Sequence, residues 1–361
     1  MSVRSQLSSA VVAVVTLAGG AAAASTINQN TAWTINRPNA AATYRVVAYG
    51  DSLFAGYNGA PYSVARRAAP YVDGEYLSTK WNAHIEVIRR TKSGARADDI
   101  YNNKIVAERS YMQASNTRAV MFEMCGNDYL QARSAFMQQT GTCSYFELDS
   151  ALFNCTLYME RAMQAINTYA TSAKVKIIST IHYPGFDADN VLTPCTDSTT
   201  GTRVNKRARF LPYLAKSNWR ACNLAEKYGF KCADSFAEYM AADYDSNGDG
   251  LIDRDAIRYR PGETEASYVH RITTTLGSTL RDANFHLASP GVSYDYIQSD
   301  NTHPTYYGSS TIGINTSGNG SGSGASDFSD SQFLNGKNPV WNTSGHERMG
   351  WIISTFDPPA P

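Results

Sequence analysis

Five short apolar runs, separated by helix-length segments, constrain this chain more than any other feature. Tyr44–Tyr49 (YRVVAY) stops at Gly50, and Ala119–Cys125 (AVMFEMC) stops at Gly126. His84–Arg90 (HIEVIRR) is another, Lys174–His182 (KVKIISTIH) is ended by Pro184-Gly185, and Phe230–Asp234 is the shortest. Val- and Ile-rich runs of this length suit strands buried on both faces, as in a parallel sheet. His84–Arg90 alternates enough to lie nearer an edge. Between and after the runs, Asp149–Ala170, Arg209–Tyr228, Ser267–Asn284 and His346–Ser354 read as helices. Strand and helix in alternation predict an α/β fold, a parallel sheet of about five strands wrapped by helices on both faces.

The rest of the chain is arranged around that core. Residues 1–24 carry Arg4, an apolar stretch from Ala10 to Ala18, and an Ala-x-Ala site near Ala22–Ala24, the layout of a cleaved secretory signal peptide. The apolar stretch is short for a span of ~20 residues, and no later window is apolar enough, so an integral membrane protein is not expected. The destination is extracellular or periplasmic. Residues 25–43 read as a polar, extended lead-in, and residues 44–361 as one domain with insertions: a Thr-, Asp- and Gly-rich loop at 186–208 and a flexible Gly/Ser segment at 316–325. An oxidising destination makes disulfides of some of the six cysteines. Cys143 and Cys155 flank a short segment and are expected to pair. Cys195 and Cys222 form a second candidate bridge, with Cys222 and Cys232 the alternative, and Cys125 a buried thiol.

Lys and Arg number 32 against 32 Asp and Glu, which excludes a globally basic nucleic-acid binder. Two local concentrations stand out. Asp243–Asp255 (DYDSNGDGLIDRD) places Asp245, Asn247 and Asp249 at positions 1, 3 and 5 of a calcium-loop pattern, with Gly250 at 6, the Leu251 carbonyl at 7 and Asp253 at 9. Position 12 is Ala256, so Asp255, Glu263 or Glu265 would supply the missing carboxylate, and a structural Ca²⁺ is expected. Arg203–Arg220 (RVNKRARFLPYLAKSNWR) is basic without an acid; it reads as a solvated helix face, or as a surface for an anionic partner such as lipid head groups.

Chemistry in an open parallel sheet collects beyond the carboxyl ends of the strands. There the chain has Gly50-Asp51-Ser52, then Ser93-Gly94, then Gly126-Asn127-Asp128, and later Asp300-Asn301-Thr302-His303. Acyl transfer by serine needs a hydroxyl, a base and a group that fixes the base. Ser52, His303 and Asp300 fill those roles, and the Ser52 N–H, the Gly94 N–H and the Asn127 amide are candidate donors to an oxyanion. His182, also at a strand end, reads as a pocket or core residue. Aromatic loops around Tyr57–Tyr62 and His182–Phe186 are candidate walls for an acyl group.

These four blocks resemble those of the SGNH, or GDSL-type, hydrolases: Ser52 in VVAYGDSLFAG, Gly94 in TKSGARADD, Asn127 in EMCGNDYL and His303 in DNTHPT. The resemblance implies a flavodoxin-like three-layer α/β/α sandwich and cofactor-free hydrolysis of carboxylic esters. Small-molecule or lipid esters, phospholipids among them, are the implied substrates. A carbohydrate acetylesterase with the same triad is the alternative, and a calcium-stabilised secreted binding protein the reading from another class.

Overall fold

The computed structural model describes residues 26–57, 64–182, 192–240, 256–276, 302–304 and 345–361. Its strands are β1 (Ile27–Asn28), β2 (Thr31–Ile35), β3 (Thr43–Gly50), β4 (His84–Ser93), β5 (Thr117–Phe122), β6 (Gly141–Thr142), β7 (Val175–Ser179), β8 (Leu192–Thr196), β9 (Arg203–Asn205) and β10 (Lys231–Ala233). The helices are α1 (Ser52–Ala55), α2 (Ala69–Trp81), α3 (Ala97–Asp99), α4 (Gly126–Met137), α5 (Phe146–Tyr169), α6 (Lys206–Tyr228), α7 (Ser235–Met240), α8 (Glu265–Leu276) and α9 (Gly345–Ser354).

All five expected strands form, and they pair in parallel in the order β4-β3-β5-β7-β10. In chain order this is second, first, third, fourth, fifth, the flavodoxin-like arrangement. Val46, Val47, Ala48 and Tyr49 of β3 are fully buried at the centre, which is why this strand is apolar on both faces. Because β4 lies on one side of β3 and β5 on the other, right-handed crossovers send the intervening helices to opposite faces. Thus α2 packs on α9, while α5 packs on α4 and α6. The result is a three-layer α/β/α sandwich with its switch point between β3 and β5.

The lead-in at 25–43 is extended but not solitary. β1 and β2 add antiparallel to β4, with Trp33 opposite Val87. The TAWTI sequence of β2 alternates as an edge strand should, and the buried Arg89 guanidinium of β4 lies 4.0 Å from the Trp33 ring centroid. Helix α2 escapes periodicity because it is enclosed between the sheet and α9 and so has no polar stripe. The contact is close: a Cβ at Gly350 would collide with Val72 of α2. Part of the 186–208 loop forms β8 and β9, which join β6 in a small sheet.

The cysteine pairing differs from the expected one. Cys143 bonds Cys195 and Cys222 bonds Cys232, so the Cys143–Cys155 and Cys195–Cys222 pairs do not form. Cys143 follows β6, which is registered beside β8 and so beside Cys195. Cys155 is instead on the buried face of α5. The Cys222–Cys232 alternative ties α6 to β10, and Cys125 is a buried thiol, as is Cys155.

The basic stretch Arg203–Arg220 finds partners within the fold. Buried Arg207 donates to the Leu276 carbonyl, Arg209 reaches Asp197 and stacks over Tyr145, and Arg220 pairs with Glu265 at 2.7 Å. It does not present a row of unpaired cations. The signal-peptide segment 1–24, the calcium-loop residues Asp245, Asn247, Asp249, Leu251 and Asp253, Asp300, and the 316–325 segment lie outside the described residues.

Candidate active site

The turn that follows β3 is held by side chains from the segment that follows β5. At Gly50 any Cβ would collide with the Glu123 carboxyl. The space glycine leaves lets Glu123 Oε1 accept the Asp51 N–H at 2.6 Å. Asp51 in turn caps α1, its Oδ1 accepting the Leu53 N–H at 2.9 Å, while Oδ2 accepts from Asn127 Nδ2 at 2.8 Å. Asn127 Nδ2 also donates to the Ala95 carbonyl at 3.0 Å. One amide therefore links the β3 turn, the loop after β4 and the start of α4. Asp128 repeats the device, its Oδ2 accepting the Ala97 N–H at 2.9 Å.

The buried acids are electrostatically unlike surface ones. Burial pushes Glu123 well above the carboxylate range, and the Asp51 charge beside it adds to the effect. Burial also raises Asp51, against the Leu53 N–H, the Glu123 contact and His303, which favour its charged form. Of the two, Glu123 is held further above the ordinary range and so favours its protonated form the more strongly. Burial likewise raises Asp128, to about 7.

His303 completes the constellation from the far end of the chain. Its Nε2 lies 2.9 Å from Ser52 Oγ. The Tyr57 ring lies against the imidazole, with centroids 4.4 Å apart, and His182 Nε2 donates to the neighbouring Thr302 carbonyl at 3.1 Å. Ser52, Gly94, Asn127 and His303 all line one cavity of about 330 Å³, whose other walls include Leu53, Tyr129, Leu130 and Ile181. Four of the five expected site residues are therefore brought together; the fifth, Asp300, is outside the described residues. His182 lines the same cavity, as its strand-end position suggested. Glu123 escaped sequence reading, although one acid inside the run AVMFEMC was a signal: acids are almost never buried without a partner.

The arrangement presents a hydroxyl in hydrogen-bond contact with an imidazole at the switch point of a parallel sheet. The GDSL-like lipase/acylhydrolase family matches residues 46–315, a span that holds all four blocks. The chain belongs to this family. As a GDSL-like hydrolase it is an enzyme that cleaves esters through a serine. Three solved structures similar to this GDSL-like hydrolase are distant from it in sequence. A lipase from a goat rumen metagenome is 16% identical, with a TM-score of 0.41 over 54% of this chain and 81% of that one. The extracellular lipase of Streptomyces rimosus is 17% identical, with a TM-score of 0.40 over 55% and 83%. Phospholipase A1 of Streptomyces albidoflavus is 16% identical, with a TM-score of 0.38 over 66% and 100%. No curated relative matches the chain.

Proposed function

We propose that the protein is a secreted carboxylic-ester hydrolase in which Ser52, His303 and Asp300 form the triad. The observation that carries this reading is the 2.9 Å contact between His303 Nε2 and Ser52 Oγ inside a largely apolar cavity. Ser52 Oγ attacks the ester carbonyl while His303 Nε2 takes its proton, then passes it to the departing alcohol. Asp300, three residues before His303, holds the Nδ1–H and stabilises the imidazolium. The oxyanion is held by the N–H groups of Ser52 and Gly94 and by Asn127, one of whose donors turns to it from the Ala95 carbonyl. Water then enters, is activated by His303 and releases the acid. Nothing in this sequence of steps calls for a cofactor.

Apolar walls favour an acyl chain longer than acetyl, and no Lys or Arg is among the described lining residues, which favours a neutral ester over a phospholipid. A series of p-nitrophenyl esters tests the reading. At about 0.8 kcal/mol per buried methylene, butyrate to octanoate should exceed acetate in kcat/KM by roughly tenfold or more. A preference for acetate, with acetate release from acetylated glycans, would favour a carbohydrate acetylesterase, and no turnover at all a binding protein.

Secretion rests on the 1–24 segment and suits the two disulfides. The domain reading, 44–361 as one hydrolase unit, is part of the same proposal. Asp245, Asn247, Asp249, the Leu251 carbonyl and Asp253 form a hard oxygen donor set suited to a structural Ca²⁺. Calorimetric titration of chelator-stripped protein should give binding heat and a raised Tm; neither would appear if the loop is only an acidic turn.

A further inference from the structure

Cys125 and Cys155 are the described cysteines outside the two disulfides, and both are fully buried. Cys125 immediately precedes α4, and Cys155 lies on the inward face of α5, so the two side chains meet where these helices pack. Their sulfur atoms and a carboxylate oxygen of Asp128 all lie within 4.8 Å of one another, and the thiols are in hydrogen-bond contact. Packing alone does not account for the pair. Cys125 has a φ of 85°, a backbone region that glycine adopts freely and that disfavours a residue such as cysteine. Glycine would relieve that conformation at no steric cost, yet the chain places a thiol there, against a second thiol from another helix.

We infer that Cys125 and Cys155 are joined as a third disulfide when the chain folds in an oxidising compartment, tying the start of α4, and Asn127 with it, to α5. The oxidant is a low-molecular-weight disulfide such as oxidised glutathione. One cysteine thiolate attacks it, releasing one thiol and leaving a mixed disulfide. The second cysteine then displaces the remaining thiol. Two protein thiols become one S–S bond and the oxidant disulfide becomes two thiols, so atoms and electrons balance. The step belongs to folding, while the sulfurs are still reachable. In the folded protein burial pushes the Cys125 thiol up to about 11 and Cys155 well above its ordinary range, which silences both as nucleophiles. Bond formation has to bring sulfurs that lie within 4.8 Å of each other to the ~2.05 Å of a disulfide. The assignment stands whether or not Ser52 is the nucleophile.

Full-length protein secreted into an oxidising compartment, or refolded with oxidised and reduced glutathione, is alkylated with iodoacetamide in denaturant without reductant and mapped by peptide mass. The expected result is no alkylated cysteine, a cross-linked Cys125–Cys155 peptide, and an intact mass about 6 Da below the fully reduced chain, roughly two hydrogens per bond. Cys125→Gly separates bond from backbone: it relieves the left-handed conformation, yet Tm should fall by roughly 5 °C or more because the cross-link is lost. Alkylation of both Cys125 and Cys155 with the other four cysteines protected would overturn the inference. So would a Tm that rises in Cys125→Gly, or a stoichiometric zinc ion released on alkylation, which would assign the cluster to a metal instead.

Discussion

Ser52 is held in place by a network in which Glu123 and Asp51 act only by position. Glu123 accepts the Asp51 N–H at 2.6 Å, Asp51 caps the helix that Ser52 begins, and Asn127 ties Asp51 to the loop bearing Gly94. Since burial and the Asp51 charge favour the neutral form of Glu123, its contribution is an acceptor of the right length more than a charge. Glu123→Gln should therefore keep most of the turnover, while Glu123→Ala leaves a buried N–H unpaired at a cost of about 1–3 kcal/mol in urea unfolding and lowers kcat more than it raises KM. Equal activity and stability in the Ala variant would remove Glu123 from the turn. Ser52, Gly94, Asn127 and His303 were legible in sequence because each sits in a polar block ending an apolar run or in the Asp-x-x-His pattern. Glu123 was not, because its role depends on which strand lies beside Gly50.

At the level of elements, spacing in sequence was a poor guide wherever a contact joins segments distant in the chain. Cys143 and Cys155 are near neighbours in the chain, yet the register of β6 on β8 gives Cys143 to Cys195. The β2 edge strand looked like a lead-in since two Thr in a five-residue run hide that Trp33 has Arg89 to cover. The C-terminal segment is another such contact. Lys80 donates to the Asp357 carbonyl at 2.5 Å and Trp81 Nε1 to the Pro358 carbonyl at 3.0 Å, bringing two buried carboxyls together. Burial pushes Asp73 up to about 8, and burial plus the Asp73 charge raises Asp357 well above its ordinary range. An unfolded Asp gives up its proton near 3.8, whereas the folded pair keeps one to about 8. The folded state thus binds more protons across that window, and stability falls as pH rises through it, by up to about 1.4 kcal/mol per pH unit for one proton. Tm should be higher at pH 5 than at pH 8, and Asp73→Asn should shrink the difference. It should not abolish it, because raised Asp51, Glu123 and Asp128 act with the same sign. The same pH 5 to pH 8 difference in both proteins would contradict this.

For the whole molecule, the alternation of five runs with helices was enough for the α/β class and the parallel sheet, because burial on both faces leaves a compositional mark on a strand. The order β4-β3-β5-β7-β10 is what turns that class into a site: its reversal between β3 and β5 opens the crevice where Ser52 and Asn127 face each other. The charge balance of 32 against 32 hid how the basic stretch would be used, since Arg207, Arg209 and Arg220 serve packing within the fold. The proposed chemistry at the carboxyl end of this sheet belongs to the Ser52 hydroxyl, activated by His303. Its most direct test is steady-state hydrolysis of p-nitrophenyl butyrate by Ser52→Ala beside the unaltered protein, with circular dichroism to confirm the fold. The expected result is a loss of about 10⁴-fold or more in kcat with the fold intact. Undiminished turnover by a folded Ser52→Ala protein would contradict it.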